Sequence, residues 1–456
     1  MPLAGFPIDK RSALLLDKEN MTKYSISPMS SLYELYLRHP RISTDSRRIE
    51  PDSVFFALRG ASFDGNRFAA DALEKGAAYA VVDDPSLPNT RPDKADRLIV
   101  VDDALQTLQA LAREHRRELG LPILAITGSN GKTTTKELVS RVLAEKYEVY
   151  ATRGNLNNHI GVGNLHNHIG VPLTLLAMTR DVEFGIVEMG ASACGEIALL
   201  CSIAEPNYGI VTNIGRAHLE GFGGPEGVRR GKGELYDWLA RTGGRVFVPA
   251  NDPVLMSMAA ERETLAAECY PTTLADGVEH HLEGDYNRFN VAAAVAVGRY
   301  FGVDDERIRY AVGSYRPDNH RSQKIRTGQN TLILDCYNAN PSSMQASLVN
   351  FRQEPLEGCT RKILILGDML ELGDWSDAEH RHIISLAAEI PDARILLVGP
   401  HFAKAYRSLE SRPADTTLYP SQEVLAAELR KHPVSQALIL VKGSHSIGLE
   451  RLADLL

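Results

Sequence analysis

The sequence predicts an α/β protein of three domains that follow one another along the chain. A length of 456 residues corresponds to about three domains of roughly 150 residues each. Short apolar runs alternate with helical stretches throughout, which is typical of mostly parallel sheets covered by helices. We assign the domains to residues 25–105, 106–315 and 316–456. Residues 1–24 are an extension, expected to be a disordered tail, with Met21 as an alternative natural start.

The first domain is predicted from three short apolar strands and one helix. The strands are VFFAL, AYAVV and RLIVV, and the helix is FAADALEKGA, with Gly76 as its C-cap. The pattern indicates a small α/β unit.

The central domain is predicted to begin after the helix ALQTLQALAREHRREL, where Gly120 and Pro122 break the pattern. Its strands are LPILAIT, FGIVEMG, YGIVTNI and RVFVPAND, and the segment DYNRFNVAAAVAVGRYFGV is expected to close it as a helix. The last domain has four predicted strands, NTLILDCYN, RKILILGD, ARILLVGP and QALILVKG. Binding sites in such sheets lie at the carboxyl ends of the strands.

Composition excludes several classes of protein. A net charge of -8 argues against a general nucleic-acid binder, which needs a basic surface. No apolar run approaches the roughly 20 residues that cross a bilayer, and the N-terminus lacks the apolar region of a signal peptide. We therefore expect a cytoplasmic protein without membrane insertion. Five cysteines without a C-x-x-C pair are expected to be buried, reduced thiols.

Residues 128–134 predict a phosphate-binding loop. They follow the strand LPILAIT and precede the helix TKELVSRVLAEKY, so free backbone N–H groups and the positive helix end would meet at one point. Lys132 would reach the terminal phosphates, and Thr133 would offer its hydroxyl to Mg²⁺. Ile126 stands where the general motif has glycine, so the loop is a shorter G-x-x-G-K-T variant. The predicted nucleotide contacts are Gly128, Ser129, Asn130, Gly131, Lys132, Thr133 and Thr134.

A second group of candidates follows two other strands. Glu188 ends FGIVEMG and His218 follows YGIVTNI. A carboxylate and an imidazole at neighbouring strand ends can share a cation. Each taken alone could instead be a buried polar residue satisfied by hydrogen bonds.

The segment TGSNGKTT resembles the ATP loop of the Mur ligase family, and the resemblance covers nearly the whole chain after residue 40. Within the family, DCYNANPSSM, LGDMLELG and VKGSHSIGLE resemble the member that adds D-alanyl-D-alanine to UDP-N-acetylmuramoyl-tripeptide. The resemblance implies a UDP-binding domain, a central P-loop ATPase domain and a Rossmann-like ligase domain. It also implies ATP, Mg²⁺ and an acyl-phosphate intermediate. We expect a monomer, although the sequence itself does not reveal the oligomeric state.

The resemblance assigns roles to individual residues. Glu188 and His218 match family residues that help to bind Mg²⁺, and Lys232 matches a lysine that related ligases carbamylate into a metal ligand. Lys132, Lys232 and His218 are accordingly the catalytic candidates. Without the family, Lys232 would be interpreted as a solvated helix charge.

The flanking domains supply the remaining candidates that the resemblance implies. Asn287 matches a residue at the adenine, and Arg321 and Asp335 match residues near the phosphates and ribose. Expected substrate contacts are Ser43, Thr44, Asp45, Ser46 and Arg47 for the UDP moiety and Asn338, Asn340, Lys442 and Ser444 for the peptides. Outside the family context, these would be turn, cap and salt-bridge residues.

A nine-residue unit occurs twice in tandem, GNLNNHIGV at 154–162 and GNLHNHIGV at 163–171. Two units are too few for a solenoid. His159, His166 and His168 could gather a metal, but glycine and asparagine around them fix no ligand geometry. The family has one such loop, which helps to place the substrate. Asn158 and Asn167 are the equivalent candidates, and Asn167 is favoured because the second copy is continuous with the helix expected to begin at Pro172.

Two rivals to this function stay open at this point. One is a sister enzyme, such as a folylpolyglutamate synthase or the ligase that adds the third amino acid of the peptide. The other is a P-loop regulatory module that binds nucleotide and signals through the last domain. The first-domain motif and NANPSSM speak against the sister enzymes.

Overall fold

The computed structural model describes residues 28–60, 63–152, 167–282, 284–316 and 323–456. Three sheets with flanking helices follow one another along these residues, so the predicted α/β class is confirmed. The expectation for residues 1–24 concerns residues outside the described ranges. The predicted boundary at residue 105 falls in the first turn of a helix that begins at Ala104.

The first unit holds a four-stranded parallel sheet in the order β1-β2-β5-β6 and a separate antiparallel pair, β3 and β4. Its three predicted strands are present, and Gly76 follows the helix cap with a φ of +109°. The elements are α1 Pro28–Arg38, β1 Ile42–Ser43, β2 Val54–Phe56, β3 Arg59–Gly60, β4 Phe63–Asp64, α2 Ala69–Glu74, β5 Tyr79–Val82, α3 Leu87–Thr90 and β6 Leu98–Val100.

The central unit is built on a six-stranded parallel sheet in the order β12-β11-β10-β7-β9-β8. Its elements are α4 Ala104–Leu119, β7 Ile123–Thr127, α5 Lys132–Ala144, β8 Val149–Ala151, α6 Gly170–Leu176, β9 Phe184–Glu188, α7 Glu196–Ala204, β10 Tyr208–Val211, α8 Leu219–Phe222, α9 Pro225–Thr242, β11 Arg245–Pro249, α10 Pro253–Ala260, β12 Ala266–Tyr270, α11 Asn287–Tyr300 and α12 Asp305–Ser314. Because β7 lies between β9 and β10, the loops after these three strands are neighbours.

The last unit has six strands instead of the four predicted. The order is β13-β14-β18-β15-β16-β17, with β13 antiparallel at one edge. The two additional strands, QKIR and TTLY, are short edge strands without a continuous apolar run, so periodicity did not reveal them. The elements are β13 Gln323–Arg326, β14 Thr331–Asp335, α13 Pro341–Gln353, β15 Arg361–Gly367, α14 Ser376–Ala388, β16 Ala393–Val398, α15 Pro400–Arg407, β17 Thr416–Tyr419, α16 Gln422–Lys431 and β18 Ala437–Lys442.

The cores follow from the sheets. Strands β7, β9 and β10 are buried on both faces because α4 covers one side of the central sheet and α5 covers the other. The sheet thus separates two hydrophobic clusters. Within the described residues, no helix has the length and apolar character needed to cross a bilayer.

The prediction for the cysteines is only partly correct. All five are free thiols, and Cys201 and Cys336 are buried, but Cys194 and Cys269 are exposed and Cys359 is intermediate. Burial, together with the negative charge of Glu234, raises the pKa of the Cys201 thiol, which keeps it protonated and unreactive.

Candidate active site

A cavity of about 740 Å³ lies between the central and last units and collects most of the predicted site. Its walls come from the loop after β7, the ends of β9 and β10, the start of α11 and the ends of β14 and β18. The predicted residues that line it are Ser129, Asn130, Gly131, Lys132, Thr133, Thr134, Asn167, Glu188, His218, Asn287, Asp335, Asn338, Asn340 and Lys442.

The remaining predicted residues lie elsewhere. Gly128, Lys232 and Ser444 are not among the residues that line this cavity, and Ser43 to Arg47 belong to the first unit. Arg321 and Asn158 lie outside the described residues.

The phosphate loop has the predicted strand–loop–helix form. Gly131 precedes α5 with a φ of +79°, and a Cβ there would come within 2.6 Å of Asn290 Oδ1. Gly128 has a φ of +137°, and a Cβ would overlap the Thr212 hydroxyl. Both positions therefore require glycine, because the backbone is left-handed and the space is already filled.

The loop is fixed to the segment after β10. Ser129 N donates to Asn213 O at 3.1 Å, Asn130 N donates to Asn213 Oδ1 at 3.1 Å, and Gly215 N donates to Ser129 Oγ at 2.8 Å. Since the first N–H groups of α5 have no partner within the helix, the loop and the helix end can together bind phosphate oxygens. Lys132 Nζ donates to Gly128 O at 2.9 Å and Ser129 O at 3.2 Å, which holds the cation over the loop.

Thr133 and Glu188 form the centre of the predicted cation site. Thr133 Oγ1 donates to Glu188 Oε1 at 3.0 Å, and only 1% of Glu188 is exposed. Glu188 N donates to Thr152 Oγ1 at 3.1 Å, which anchors the end of β9. The buried Lys136 lies 3.8 Å from Glu188 Oε2 and donates to Thr152 O at 2.7 Å. This lysine, which the sequence did not single out, offsets the buried carboxylate.

His218 lies just before α8 with a left-handed backbone, at a φ of +52°. Its Nδ1 contacts the carboxylate of Glu371 from the last unit. The hydrogen bond with His218 lowers the pKa of Glu371 below its ordinary value, so the carboxylate stays ionised. Glu371 lies within the motif LGDMLELG but was not predicted as a site residue.

Lys232 is on α9 and is 1% exposed. Its Nζ donates to Ala191 O at 3.1 Å and lies 5.1 Å from the centroid of the Phe222 ring. Burial, aided by the charge of Lys132, lowers the pKa of Lys232 well below its usual range. The side chain is therefore not the solvated helix charge of the alternative interpretation.

Asn287, the residue predicted to contact the adenine, is the first residue of α11 and 4% exposed. Asn290 donates from Nδ2 to Asn287 Oδ1 at 2.8 Å and accepts from Thr135 Oγ1 at 3.0 Å. It thereby joins α11 to α5 directly beneath the phosphate loop. Asn290 was not predicted as a site residue, although its position one helical turn after Asn287 places both on one face.

The last unit contributes an ion pair, one contact to the central unit and one contact that orders its own loops. Asp335 and Lys442 are register partners at the ends of β14 and β18 and form a salt bridge. Asn340 caps α13 through Ser343 N at 2.9 Å and donates from Nδ2 to Asn130 Oδ1 at 2.8 Å. Ser444 Oγ accepts from Leu370 N at 3.0 Å. The Asn340 and Ser444 contacts hold backbone and loops in place, while Asn338 lines the cavity.

In the first unit, the predicted UDP contacts form a polar turn after β1. Asp45 is buried and accepts from Arg47 N at 3.0 Å and Arg47 Nε at 2.9 Å. Burial would raise the pKa of Asp45, but these hydrogen bonds outweigh it and hold the pKa below its ordinary value. The turn is therefore preorganised with an ionised carboxylate.

The second copy of the tandem unit enters the described residues at Asn167. The side chain of Asn167 lines the cavity, and its Oδ1 accepts from Ile169 N and Gly170 N at 3.0 Å each. Helix α6 begins at Gly170, two residues before the predicted start at Pro172. The helix can start earlier because Asn167 Oδ1 accepts hydrogen bonds from two backbone N–H groups at the helix start. Pro172 has no N–H group, so it needs no partner in the first turn. The first copy lies outside the described residues.

Three stretches of the chain match domains of one family. Residues 126–270 match the Mur ligase middle domain, residues 320–445 the Mur ligase glutamate ligase domain, and residues 40–116 the Mur ligase catalytic domain. The UDP-N-acetylmuramoyl-tripeptide--D-alanyl-D-alanine ligase of Bacillus subtilis is 33% identical over 90% of this chain and 92% of its own. The Escherichia coli enzyme of the same name is 30% identical, with the same coverage.

Solved structures agree with these matches. A crystal structure of MurF from Acinetobacter baumannii superposes with a TM-score of 0.77 at 29% identity and covers 91% of this chain and 93% of its own. MurF ligase from Thermotoga maritima in complex with ADP has a TM-score of 0.75 at 24% identity, covers 92% and 97%, and shares the fold. Sequence, fold and site geometry lead to one conclusion: the chain belongs to the Mur ligase family.

Proposed function

We infer that the protein is an ATP-dependent amide ligase that adds D-alanyl-D-alanine to UDP-N-acetylmuramoyl-tripeptide in peptidoglycan precursor synthesis. One observation carries this inference. The phosphate loop, Glu188 and His218 of the central unit meet the Asp335–Lys442 pair of the last unit around a single cavity. Relatives at 33% and 30% identity over nine-tenths of the chain bear the name of that ligase.

The reaction has two steps with a balanced transfer of atoms. An oxygen of the tripeptide's terminal carboxylate attacks the γ-phosphorus of ATP, and ADP leaves. The amine nitrogen of D-alanyl-D-alanine then attacks the carbonyl carbon of the acyl phosphate and loses a proton. Phosphate leaves with the original carboxylate oxygen, and an amide bond remains.

Lys132 and the N-terminus of α5 are the groups that stabilise charge on the phosphates. Anionic groups that must approach one another repel, so fixed positive groups lower the barrier most where charge develops. Lys132 is already held over the loop by carbonyls of Gly128 and Ser129. It therefore needs little reorganisation to reach the terminal phosphates.

We propose that Thr133, Glu188 and His218 hold Mg²⁺. Among the residues that the structure describes, no three His, Cys, Asp or Glu side chains cluster as a complete ligand set. A hydroxyl, a carboxylate and an imidazole beside a phosphate loop fit a cation that takes its other ligands from nucleotide phosphates and water. When bound, Mg²⁺ would offset the repulsion between the phosphates and the incoming carboxylate.

Carbamylated Lys232 is the proposed fourth group of the cation site. An uncharged amine is needed to attack the carbon of CO₂, and the amine then releases a proton to give the carbamate anion. Burial and the neighbouring charge of Lys132 favour the uncharged amine of Lys232. The modification would convert a buried group that repels cations into an anionic ligand.

The substrates are proposed to contact all three units. Ser43, Thr44, Asp45, Ser46 and Arg47 offer hydroxyl and charged groups to the UDP moiety, and Asn338 and Lys442 face the cavity from the last unit. Asn287 and Asp335 both line the cavity, and we propose that they contact the nucleoside of ATP. Because ATP is the cosubstrate, we propose that the reaction takes place in the cytoplasm.

The tandem copies differ in their expected contributions. Asn167→Ala should lower kcat/KM about tenfold, because the substitution removes a cavity-lining amide and the side-chain acceptor for Ile169 N and Gly170 N. The matched substitution Asn158→Ala, at the same position of the first copy, should change kcat/KM less than twofold. Steady-state kinetics on both variants measure this. A loss confined to Asn158→Ala would instead assign the function to the first copy.

The function is tested by phosphate release in the presence of ATP and Mg²⁺. Release that requires both UDP-N-acetylmuramoyl-tripeptide and D-alanyl-D-alanine supports ligation. A folylpolyglutamate synthase would require a folate and glutamate instead, and the ligase for the third amino acid would require the dipeptide precursor. Release or tight nucleotide binding that ignores both substrates would indicate a regulatory module.

A further inference from the structure

The segment 215–224, called the bridge segment below, connects the phosphate loop to the last unit. At its start, Gly215 N donates to Ser129 Oγ at 2.8 Å. In the last unit, Ser342 Oγ accepts from Arg216 N at 2.8 Å and Glu371 O accepts from Glu220 N at 3.2 Å. His218, the proposed cation ligand, lies in the middle of this segment. Its position therefore depends on contacts with a different unit.

His218 and Glu371 meet directly across the junction between the units. Both residues have left-handed backbones, with φ values of +52° and +61°. Such a backbone is strained in a residue other than glycine and persists only where surrounding contacts hold it. A carboxylate that binds one ring nitrogen fixes the orientation and tautomer of a histidine and leaves the other nitrogen for a metal. Here that carboxylate comes from outside the central unit.

Arg216 and Glu379 form a second contact across the same junction. Arg216 Nη1 lies 2.9 Å from Glu379 Oε1, and the carboxylate side chain is 3% exposed. Glu379 Oε2 has no hydrogen-bond partner among the described residues. A buried carboxylate with so few partners depends strongly on its cation, and removal of one member of such a pair is costly. The pair therefore favours the docked arrangement of the two units.

Apolar packing extends the junction towards Lys232. Leu219 and Phe222 belong to the same buried cluster as Met344 and Leu372 of the last unit. The ring of Phe222 also lies beneath Lys232 Nζ. His218 thus touches a side chain of the last unit itself, and Lys232 touches the Phe222 ring, which packs against that unit.

We propose that Glu371 is a positioning residue for His218 and that the last unit, docked through Glu371 and the Arg216–Glu379 pair, sets the affinity of the site for its divalent cation. The inference rests on the proposed function, from which the cation site is taken. Linkage makes the effect reciprocal, so cation binding must favour docking by the same factor as docking tightens cation binding. The last unit thereby acts on the cation site without contributing a ligand.

The test measures binding of Mn²⁺ to the full chain by electron paramagnetic resonance, without substrates. Glu371→Ala and Glu379→Gln should each weaken Mn²⁺ binding about tenfold, within the range seen when partners of metal ligands are removed. Glu379 is the decisive position because it contacts Arg216 and not His218. The controls are Glu389→Ala and Glu389→Gln, since Glu389 is an exposed residue next to α14 that pairs with Arg352 of the same unit.

Small-angle X-ray scattering measures the reciprocal effect, which is the effect of cation binding on docking of the last unit. Mn²⁺ should reduce the radius of gyration of the wild type and of the Glu389 variants more than that of Glu379→Gln. If Glu379→Gln does not fold, Arg216→Gln breaks the same pair from the central unit. Wild-type affinity in the folded Glu379→Gln or Arg216→Gln variant would overturn the coupling, and wild-type affinity in Glu371→Ala would overturn the positioning role. If the protein does not ligate the substrates but the variants change Mn²⁺ binding as expected, the proposed function is refuted and the coupling is not.

Discussion

Replacement of Lys132 by methionine is expected to lower kcat/KM for ATP about a thousandfold, which corresponds to roughly 4 kcal/mol of transition-state stabilisation. Methionine keeps the length and most of the apolar stem of lysine but removes the charge. The hydrogen bonds from Nζ to Gly128 O and Ser129 O would also be lost. Steady-state kinetics at varied ATP measure the effect.

The matched control for this prediction is Lys404→Met. Lys404 is an exposed residue of α15 whose partner is Asp377 of the same unit, so its loss should leave kcat/KM within twofold. Circular dichroism and thermal unfolding of both variants report on the fold. An activity of Lys132→Met within tenfold of the wild type would mean that the phosphate loop acts through its backbone alone.

Replacement of Lys232 is expected to have the second largest effect. Lys232→Arg places a permanent positive charge at this position and cannot form the carbamate, so kcat should fall by about a hundredfold to a thousandfold. The buried site cannot accept a permanent cation as readily as an uncharged amine, because burial penalises the charged form. Kinetics should therefore show a loss that extra Mg²⁺ does not restore.

Direct detection of the carbamate separates this role from a structural one. Protein equilibrated with ¹³CO₂ should give a carbamate carbon resonance that is absent from Lys232→Arg. The resonance should weaken when CO₂ is removed, and kcat should fall in parallel. A fully active Lys232→Arg, or a wild type active without any such resonance, would contradict the modification.

Much of the fold could be predicted because the strands near the sites are buried on both faces and consist of continuous apolar residues. The runs ending at Thr127, Glu188 and Lys442 are fully buried strands. The edge strands β13 and β17 were not predicted, because edge strands bury little apolar surface and keep polar side chains. The local sequence pattern thus predicted the central strands better than these edge strands.

The site residues also divide into those that local sequence predicts and those that only the packing of the units reveals. The phosphate loop is contiguous in sequence, so its spacing alone predicted a nucleotide site. Glu371 lies 153 residues from His218, and Asn290 lies 155 residues from Thr135. No local pattern pairs residues so far apart, and their roles follow only from the packing of the units. The burial of Lys232 likewise depends on α9 lying against the loop that contains Ala191.

The most direct test of the central claim follows a single oxygen atom. UDP-N-acetylmuramoyl-tripeptide with ¹⁸O in its terminal carboxylate is incubated with the protein, ATP, Mg²⁺ and D-alanyl-D-alanine, and the released phosphate is examined by mass spectrometry. Ligation through an acyl phosphate predicts that each phosphate carries one oxygen from the labelled carboxylate. Phosphate free of ¹⁸O, formed at the same rate as the product, would contradict the account.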